Sequence, residues 1–91
     1  MEAYLSKNIT SNTTTTVCET AGVLHFITVN KTAAGTIIAY DGDGGSVKTI
    51  ATLKASVVED TYVYHAEFSD KLVIVTAASP DITISYSLAG S

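Results

Sequence analysis

The stretch Asp81-Ile82-Thr83-Ile84-Ser85-Tyr86-Ser87-Leu88 decides the fold of this chain. Large apolar residues alternate in it with small polar ones. This is the pattern of a β-strand that buries one face and turns the other to water. A lone strand is not stable, so the rest of the chain must supply sheet neighbours.

Similar runs recur from this strand back to Ala21. Glycine, aspartate and Ser-Pro turns separate them, and no stretch of useful length has the 3.6-residue period of a helix. Roughly six to eight strands at about 8–12-residue spacing are typical of a sandwich or jelly roll. The sequence therefore predicts an all-β fold, a small antiparallel β-sandwich of jelly-roll or immunoglobulin-like type. The runs that support it cover residues 23–29, 36–40, 47–53, 61–68 and 72–76.

The first part of the chain differs in composition from the rest. Residues 6–16 are rich in Asn, Ser and Thr, so they can bury little, although threonine favours extended backbone. We expect an extended N-terminal arm or edge strand over residues 1–20 and a β-sandwich domain over residues 21–91. The alternative is that residues 6–16 form a first strand of the sandwich, with Ile9 in its core.

Charge and composition limit the partners. The 91 residues carry a net charge of −4 and include no arginine, and the five lysines are scattered. Phosphate binding draws on clustered basic residues, so we expect no direct nucleic-acid binding. No apolar run approaches the ~20 residues that span a bilayer, so we expect no membrane partner. Because 46% of residues are hydrophobic and only 15% are charged, we expect a homo-oligomer that covers part of its surface.

Two motifs could hold a metal ion. Asp41-Gly42-Asp43-Gly44 has the start of a calcium loop, but Gly45 and Thr52 stand where two further ligands are needed. A hairpin loop is the preferred interpretation. Cys18, His25 and His65 could supply three zinc ligands, but their spacing matches no zinc motif. Histidines hydrogen-bonded to a neighbour at the core edge are preferred, and no cofactor or metal is expected.

Catalytic sets can be written down but nothing joins them. Cys18, His25 and either Asp41 or Asp70 could form a triad, and Glu59-Asp60 with Asp70 could form a carboxylate pair. The acidic residues lie in predicted turns, so we expect that the chain is not an enzyme. Cys18 is the only cysteine, which excludes a disulfide within the chain, and we expect it to be buried. One unpaired cysteine and no secretory signal predict synthesis in the cytoplasm.

Tyrosines and apolar residues near the N-terminus are the candidates for a protein interface. Tyrosine combines apolar area with a hydroxyl, which suits interfaces and carbohydrate platforms. Core packing is the competing interpretation, favoured for Tyr86 and for at least one of Tyr62 and Tyr64. The candidate interface residues are Tyr4, Leu5, Ile9, Tyr40, Tyr62 and Tyr64.

Residues 20–87 resemble small β-sandwich proteins encoded among the structural genes of tailed bacteriophages and prophages. The likeness is carried by a GVLH entry strand at 22–25, YD at 40–41, KTIATL at 48–53, residues 64–68 and 72–76, and a DITISY finish at 81–86. It implies a virion component. A capsid decoration (cement) protein fits best, since such proteins are small, β-rich and often trimeric, and lie at junctions between capsid subunits.

Three functional hypotheses follow. The first is a decoration protein on the capsid surface of the virion, a trimer whose partner is the major capsid protein or another virion subunit. The second is a tail-fibre, knob or receptor-binding module that recognises a host sugar or protein. The third, a small enzyme or metal-binding protein, is the least favoured.

Overall fold

A computed structural model describes residues 4–42 and 47–89 of the chain. Their alternating apolar and polar residues form strands, as β-branched side chains favour. The predicted hairpin loop at residues 41–45 lies partly outside the described residues. The strands are β1 Leu5–Ile9, β2 Thr14–Cys18, β3 Gly22–Lys31, β4 Ile37–Asp41, β5 Lys48–Leu53, β6 Thr61–Phe68, β7 Leu72–Thr76 and β8 Asp81–Leu88.

The strands form two four-stranded sheets. Sheet A has the order β1-β8-β3-β6, sheet B has the order β2-β7-β4-β5, and all pairs are antiparallel. Every connection except that between β4 and β5 passes from one sheet to the other. Eight strands in this order are a jelly roll. The prediction of a small antiparallel all-β sandwich is confirmed, and of its two variants the jelly roll is present.

The core lies between the inner faces of the two sheets. Strand β8 supplies Ile82 and Ile84, both fully buried, from the alternation that predicted the strand. Sheet B supplies Leu72 and Ile74 from β7. The core cluster comprises Ile9, Cys18, Leu24, Ile27, Val29, Ile37, Ala39, Ala51, Leu53, Val57, Phe68, Leu72, Ile74, Ile82 and Ile84.

The N-terminal region supplies one edge strand to each sheet. Strand β1 pairs with β8 in sheet A, and β2 pairs with β7 in sheet B. The link between them is held by Thr76, whose buried hydroxyl donates to the Ser11 carbonyl at 2.6 Å and accepts the Thr13 N–H at 3.1 Å. The boundary expected at residue 20 therefore lies between two strands that share one core with the rest of the chain.

Nowhere in residues 4–42 and 47–89 does a helix reach the length and apolarity that crossing a lipid bilayer requires.

Candidate functional site

The outer face of sheet B carries two rows of uncharged residues that cross all four strands. Each row has an apolar centre between two threonines. One row is Thr14, Val75, Ile38 and Thr52, and the other is Thr16, Val73, Tyr40 and Thr49. We call these eight residues the sheet B rows. Their β-branched and aromatic side chains give a pleated surface without a charge.

Val73 shows how closely the sheet B rows are packed. It lies between Leu72 and Ile74, which point into the core, so it points outward by alternation. It is nevertheless only 3% exposed. An outer face that is apolar at its centre, polar at its rim and free of charge has the composition of the centre of a protein interface. It offers contact area and hydroxyl groups to a partner.

The outer face of sheet A is instead joined by polar side chains. The Asn8 side-chain amide donates to Asp81 Oδ1 at 2.8 Å and to the Ile82 carbonyl at 2.9 Å. From the neighbouring strand, the Asn30 amide donates to Thr83 Oγ1 at 3.1 Å. These hydrogen bonds link β1, β8 and β3 across the face.

Both histidines of the chain meet on this same face. His25 Nδ1 and His65 Nδ1 are 2.7 Å apart, and His25 Nε2 is 2.9 Å from Ser87 Oγ. The Tyr4 ring stacks on the His25 ring with centroids 4.1 Å apart and an interplanar angle of 12°. Phe26 lies edge-on to the His65 ring at 5.3 Å. We call these five residues the histidine cluster.

Irregular backbone brings the two histidines together. Strand β3 shifts register at His25 against both β6 and β8, and His65 has a φ of 48°. This left-handed conformation is uncommon for residues other than glycine, although histidine is among those that tolerate it better. It costs on the order of 1–3 kcal/mol and persists where the surroundings impose it. The period-two pattern gives no sign of such bulges, so sequence reasoning missed the cluster.

An open groove of about 590 Å³ lies at one end of the sandwich, beside the histidine cluster. Its lining includes His25, Asp41, Lys48 and Glu67. Gly22 lines it too, and a Cβ there would collide with the backbone carbonyl of Ser87, so the close approach of β3 and β8 requires glycine. The lining of the groove therefore includes acidic and basic side chains together with the imidazole of His25.

Asp41 orders the loop after β6 at this end. Its carboxylate accepts the N–H of Ser69 and the N–H of Asp70, each at 2.9 Å, and the Ser69 hydroxyl at 3.2 Å. Partial burial raises the pKa of Asp41, but these hydrogen bonds and one from the Lys71 backbone outweigh it and hold the pKa below its ordinary 3.8. The ionised Asp41 carboxylate therefore stabilises the fold through these hydrogen bonds, and protonation at low pH is expected to remove that stabilisation.

Three of the predicted interface residues are accessible. Tyr4 and Leu5 are 46% and 43% exposed at the sheet A edge, and Tyr40 belongs to the sheet B rows. Tyr4 precedes β1 and stacks on the outer face of sheet A, whereas Tyr40 belongs to sheet B, so the two cannot form one continuous patch.

The other three predicted interface residues face the core. Ile9 is only 4% exposed and pairs with Ile82, so its side chain cannot reach a partner; including it was wrong. Tyr62 and Tyr64 pack against the core, as does Tyr86. Burial, and then the nearby Tyr62, raise the pKa of Tyr64, while burial, followed by Cys18, raises that of Tyr86. Core packing is the correct interpretation for these tyrosines.

The three residues of the hypothetical zinc set do not converge. Cys18 is buried, and its thiol donates to the Thr20 carbonyl at 3.2 Å. Among the residues that the structure describes, no three His, Cys, Asp or Glu side chains are grouped so that they could hold a metal ion. The expectation of hydrogen-bonded histidines is confirmed, but their mutual contact was not foreseen.

No protein-family model matches the chain, and no curated protein matches it in sequence. Among solved structures, the fold resembles the NLP core from Drosophila, whose structure provides insight into pentamer formation and histone binding. The TM-score is 0.56 at 17% identity, over 93% of this chain and 96% of that one. At this identity the likeness shows the fold.

This finding corrects the predicted function. The structure that this fold resembles is a core described for pentamer formation and histone binding. The prediction of a capsid decoration protein, with a tail-fibre or receptor-binding module as its alternative, is therefore wrong. The resemblance to phage β-sandwich proteins stays a prediction.

Proposed function

We propose that this chain is a non-catalytic binding module that assembles with further copies of itself through the outer face of sheet B. The observation that carries the proposal is the pair of uncharged sheet B rows, whose partly exposed apolar centre is formed by Ile38, Tyr40 and Val75. Charge depletion at the centre of a patch distinguishes an interface from ordinary protein surface.

The chemistry of the sheet B rows favours a second copy over water. Val75, Ile38 and Tyr40, which are partly exposed in the single chain, gain free energy when they leave water, by about 25 cal/mol per Å² of apolar surface. Flanking threonines can form hydrogen bonds at the rim without the desolvation cost of a charge. The low charged fraction of the whole chain, 15%, also suits a protein that buries surface by association.

The number of copies in the assembly is a separate part of the proposal. The sequence favoured three, and the similar Drosophila core supports a pentamer. A closed ring of either size has heterologous contacts, in which one surface packs on a different surface of the next copy. The sheet B rows are therefore expected to contact another part of the neighbouring copy.

The proposed partner of the assembly is a basic protein. The chain has a net charge of −4 and no arginine, and a ring multiplies that charge by its number of copies. Exposed acidic side chains are available on several elements. They are Glu19, Glu59, Asp60, Glu67 and Asp70. The histone binding named for the similar Drosophila core supports this choice.

Native mass spectrometry tests the assembly. We expect the wild-type chain to give one defined oligomer and Val75→Glu to give a folded monomer, because the new carboxylate lies in the apolar centre of the interface. Val58→Glu is the matched control, since Val58 is 69% exposed outside the sheet B rows. A wild-type monomer, or an unchanged oligomer of Val75→Glu, would contradict the proposal.

A second variant guards against misfolding of the first. Thr52 is exposed at the end of a row, so Thr52→Arg leaves the folded chain intact and obstructs only a partner. Thr10→Arg, also exposed but outside the rows, should keep the oligomer. Equal masses for these two variants would also contradict the interface.

Binding of a fluorescent lysine- and arginine-rich peptide tests the partner separately. We expect saturable binding that weakens as salt is raised, because exposed charges are screened over about 8–10 Å at ordinary ionic strength. A peptide of the same length with glutamates should not bind. If the basic peptide fails to bind at low salt while the oligomer persists, the partner is wrong and the assembly stands.

A further inference from the structure

We propose that the outer edge of β6 binds an extended basic segment of the partner protein as an added strand of sheet A. Strand β6 pairs with β3 on one side, and none of the strands in residues 4–42 and 47–89 pairs with its other side. An extended peptide can join such an edge through main-chain hydrogen bonds. The inference rests on the basic partner proposed above and gives that partner a binding site, which we call the β6 edge.

The backbone of β6 shows which groups an added strand would meet. The Asp60 carbonyl accepts the Val29 N–H at 2.8 Å, so the backbone groups of Asp60 and, by alternation, of Tyr62 face β3. Those of Thr61 and Val63 therefore face the β6 edge. The Asp60 carboxylate already accepts the Thr61 N–H at 2.7 Å. The Thr61 carbonyl, the Val63 N–H and the Val63 carbonyl are thus the groups offered to a partner.

Apolar side chains along the β6 edge offer contacts in addition to the backbone. Val63 lies on the outer face of sheet A opposite Phe26 and is 58% exposed, and Val58, shortly before β6, is 69% exposed. A side chain of the added strand would cover Val63, since directly opposite residues of adjacent strands lie close together. The left-handed backbone of His65 interrupts the regular strand, so the added strand is short and centred on Val63.

The charge of the β6 edge selects a basic occupant. Residues 55–70 include four exposed acidic residues and no lysine or arginine. They are Glu59 and Asp60 before the strand, Glu67 within it and Asp70 after it. The other three edge strands, β1, β2 and β5, contain no acidic residue, and β1 and β5 carry one lysine each. Like charges facing each other disfavour pairing with the same edge of a second copy, whereas basic side chains complement it.

Binding of a fluorescent peptide to the whole chain tests the site. The probe is as long as β6, eight residues, with arginine and lysine towards both ends and valine in the middle. We expect N-methylation of the peptide, one position at a time, to weaken binding about tenfold at positions whose N–H faces β6 and to have little effect at the positions between them. The same peptide with glutamine in place of its basic residues should also bind about tenfold more weakly.

Val63→Pro tests the protein side of the contact. Proline removes an N–H that faces the β6 edge and keeps the hydrogen bonds to β3, so we expect about tenfold weaker peptide binding. Val63→Thr is the matched control, because it keeps the N–H and should bind as the wild type does. Circular dichroism checks the fold, and if Val63→Pro is unfolded, the N-methyl scan on the wild type decides alone.

Hydrogen exchange adds a direct readout, since the Val63 amide should exchange more slowly when the basic peptide is bound. Binding that shows no alternation in the N-methyl scan would overturn the β6 edge as the site and leave the basic partner standing. Failure of the wild type to bind the basic peptide at low salt would overturn both the partner and the site.

Discussion

The outer faces of the two sheets differ although both belong to short antiparallel strands around one core. On sheet A, asparagine, aspartate, threonine and histidine side chains form hydrogen bonds with one another across three or more strands. On sheet B, the two rows carry threonine around valine, isoleucine and tyrosine. The first face satisfies its polar groups within the chain, and the second is suited to meeting another surface.

This difference shows that exposure alone does not identify an interface. Tyr4 is almost half exposed yet stacks on His25, whereas Val73 is nearly covered and still lies at the centre of the outer face of sheet B. The shared lack of charge among neighbouring side chains along a row indicates an interface better than the exposed fraction of any one side chain does.

The largest effect on the free energy of unfolding is expected in the core that lies between the two sheets. Ile84→Ala removes a fully buried side chain of β8 and should lower the free energy of unfolding by about 2–5 kcal/mol. The adjacent Ser85→Ala, on the outer face of sheet A, should change it by no more than about 0.5 kcal/mol. Urea denaturation of both variants measures this, and similar losses would refute the assignment of inner and outer faces on β8.

Thr76→Val tests the polar anchor of sheet B, which lies inside the sandwich. The substitution keeps the shape but removes the bond to the Ser11 carbonyl and the acceptor of the Thr13 N–H. A buried polar group left without its partner costs about 1–3 kcal/mol, and we expect a loss in that range. Chemical denaturation measures it, with the exposed Thr36→Val as a control that should be nearly neutral.

Asp81→Ala compares the two outer faces directly. Asp81 Oδ1 accepts hydrogen bonds from Asn8 and, more weakly at 3.3 Å, from Asn30. Because the group is partly exposed, we expect a loss of about 1 kcal/mol in the free energy of unfolding. Thr49→Ala, in the sheet B rows, should cost less in a monomer. If Thr49→Ala destabilises the monomer more than Asp81→Ala does, the hydrogen bonds across the outer face of sheet A do not contribute the expected stability.

The smallest effect on stability is expected from Asp41, which lines the groove, and it depends on pH. Because the pKa of Asp41 is held below 3.8 in the folded chain, the unfolded chain binds its proton first as the solution is acidified. The stabilisation is complete above the ordinary pKa and is lost as pH falls through the folded pKa. Between about pH 6 and about pH 3, the wild type should therefore lose more stability than Asp41→Asn. Parallel curves from urea titrations at each pH would exclude this role.

Much of the fold could be predicted because strand alternation and turn residues are local properties of the sequence. The pattern of β8, and the sharing of one face by Tyr62, Tyr64 and Phe68, follow from a period of two and are present in the structure. The first twenty residues were harder, because threonine-rich strands at sheet edges bury little and resemble an unstructured arm. Ile9 alone indicated their place in the core.

The candidate site was less predictable. The sheet B rows depend on which strands are neighbours, and in a jelly roll most neighbours are distant in sequence. The histidine cluster depends in addition on two backbone irregularities, at His25 and His65, that no residue pattern indicates. His25 and His65 stand 40 positions apart, so their contact exists only after the fold is known.

The pairing of the first strand with the last has a consequence for biosynthesis. Leu5 lies opposite Tyr86 and Ile9 opposite Ile82, so β1 cannot take its place until β8 has been made. Loop closure over such distances is slow, and unpaired strand edges are prone to aggregate meanwhile. The polar Ser6, Lys7 and Asn8 of β1 would keep that waiting strand soluble on the ribosome.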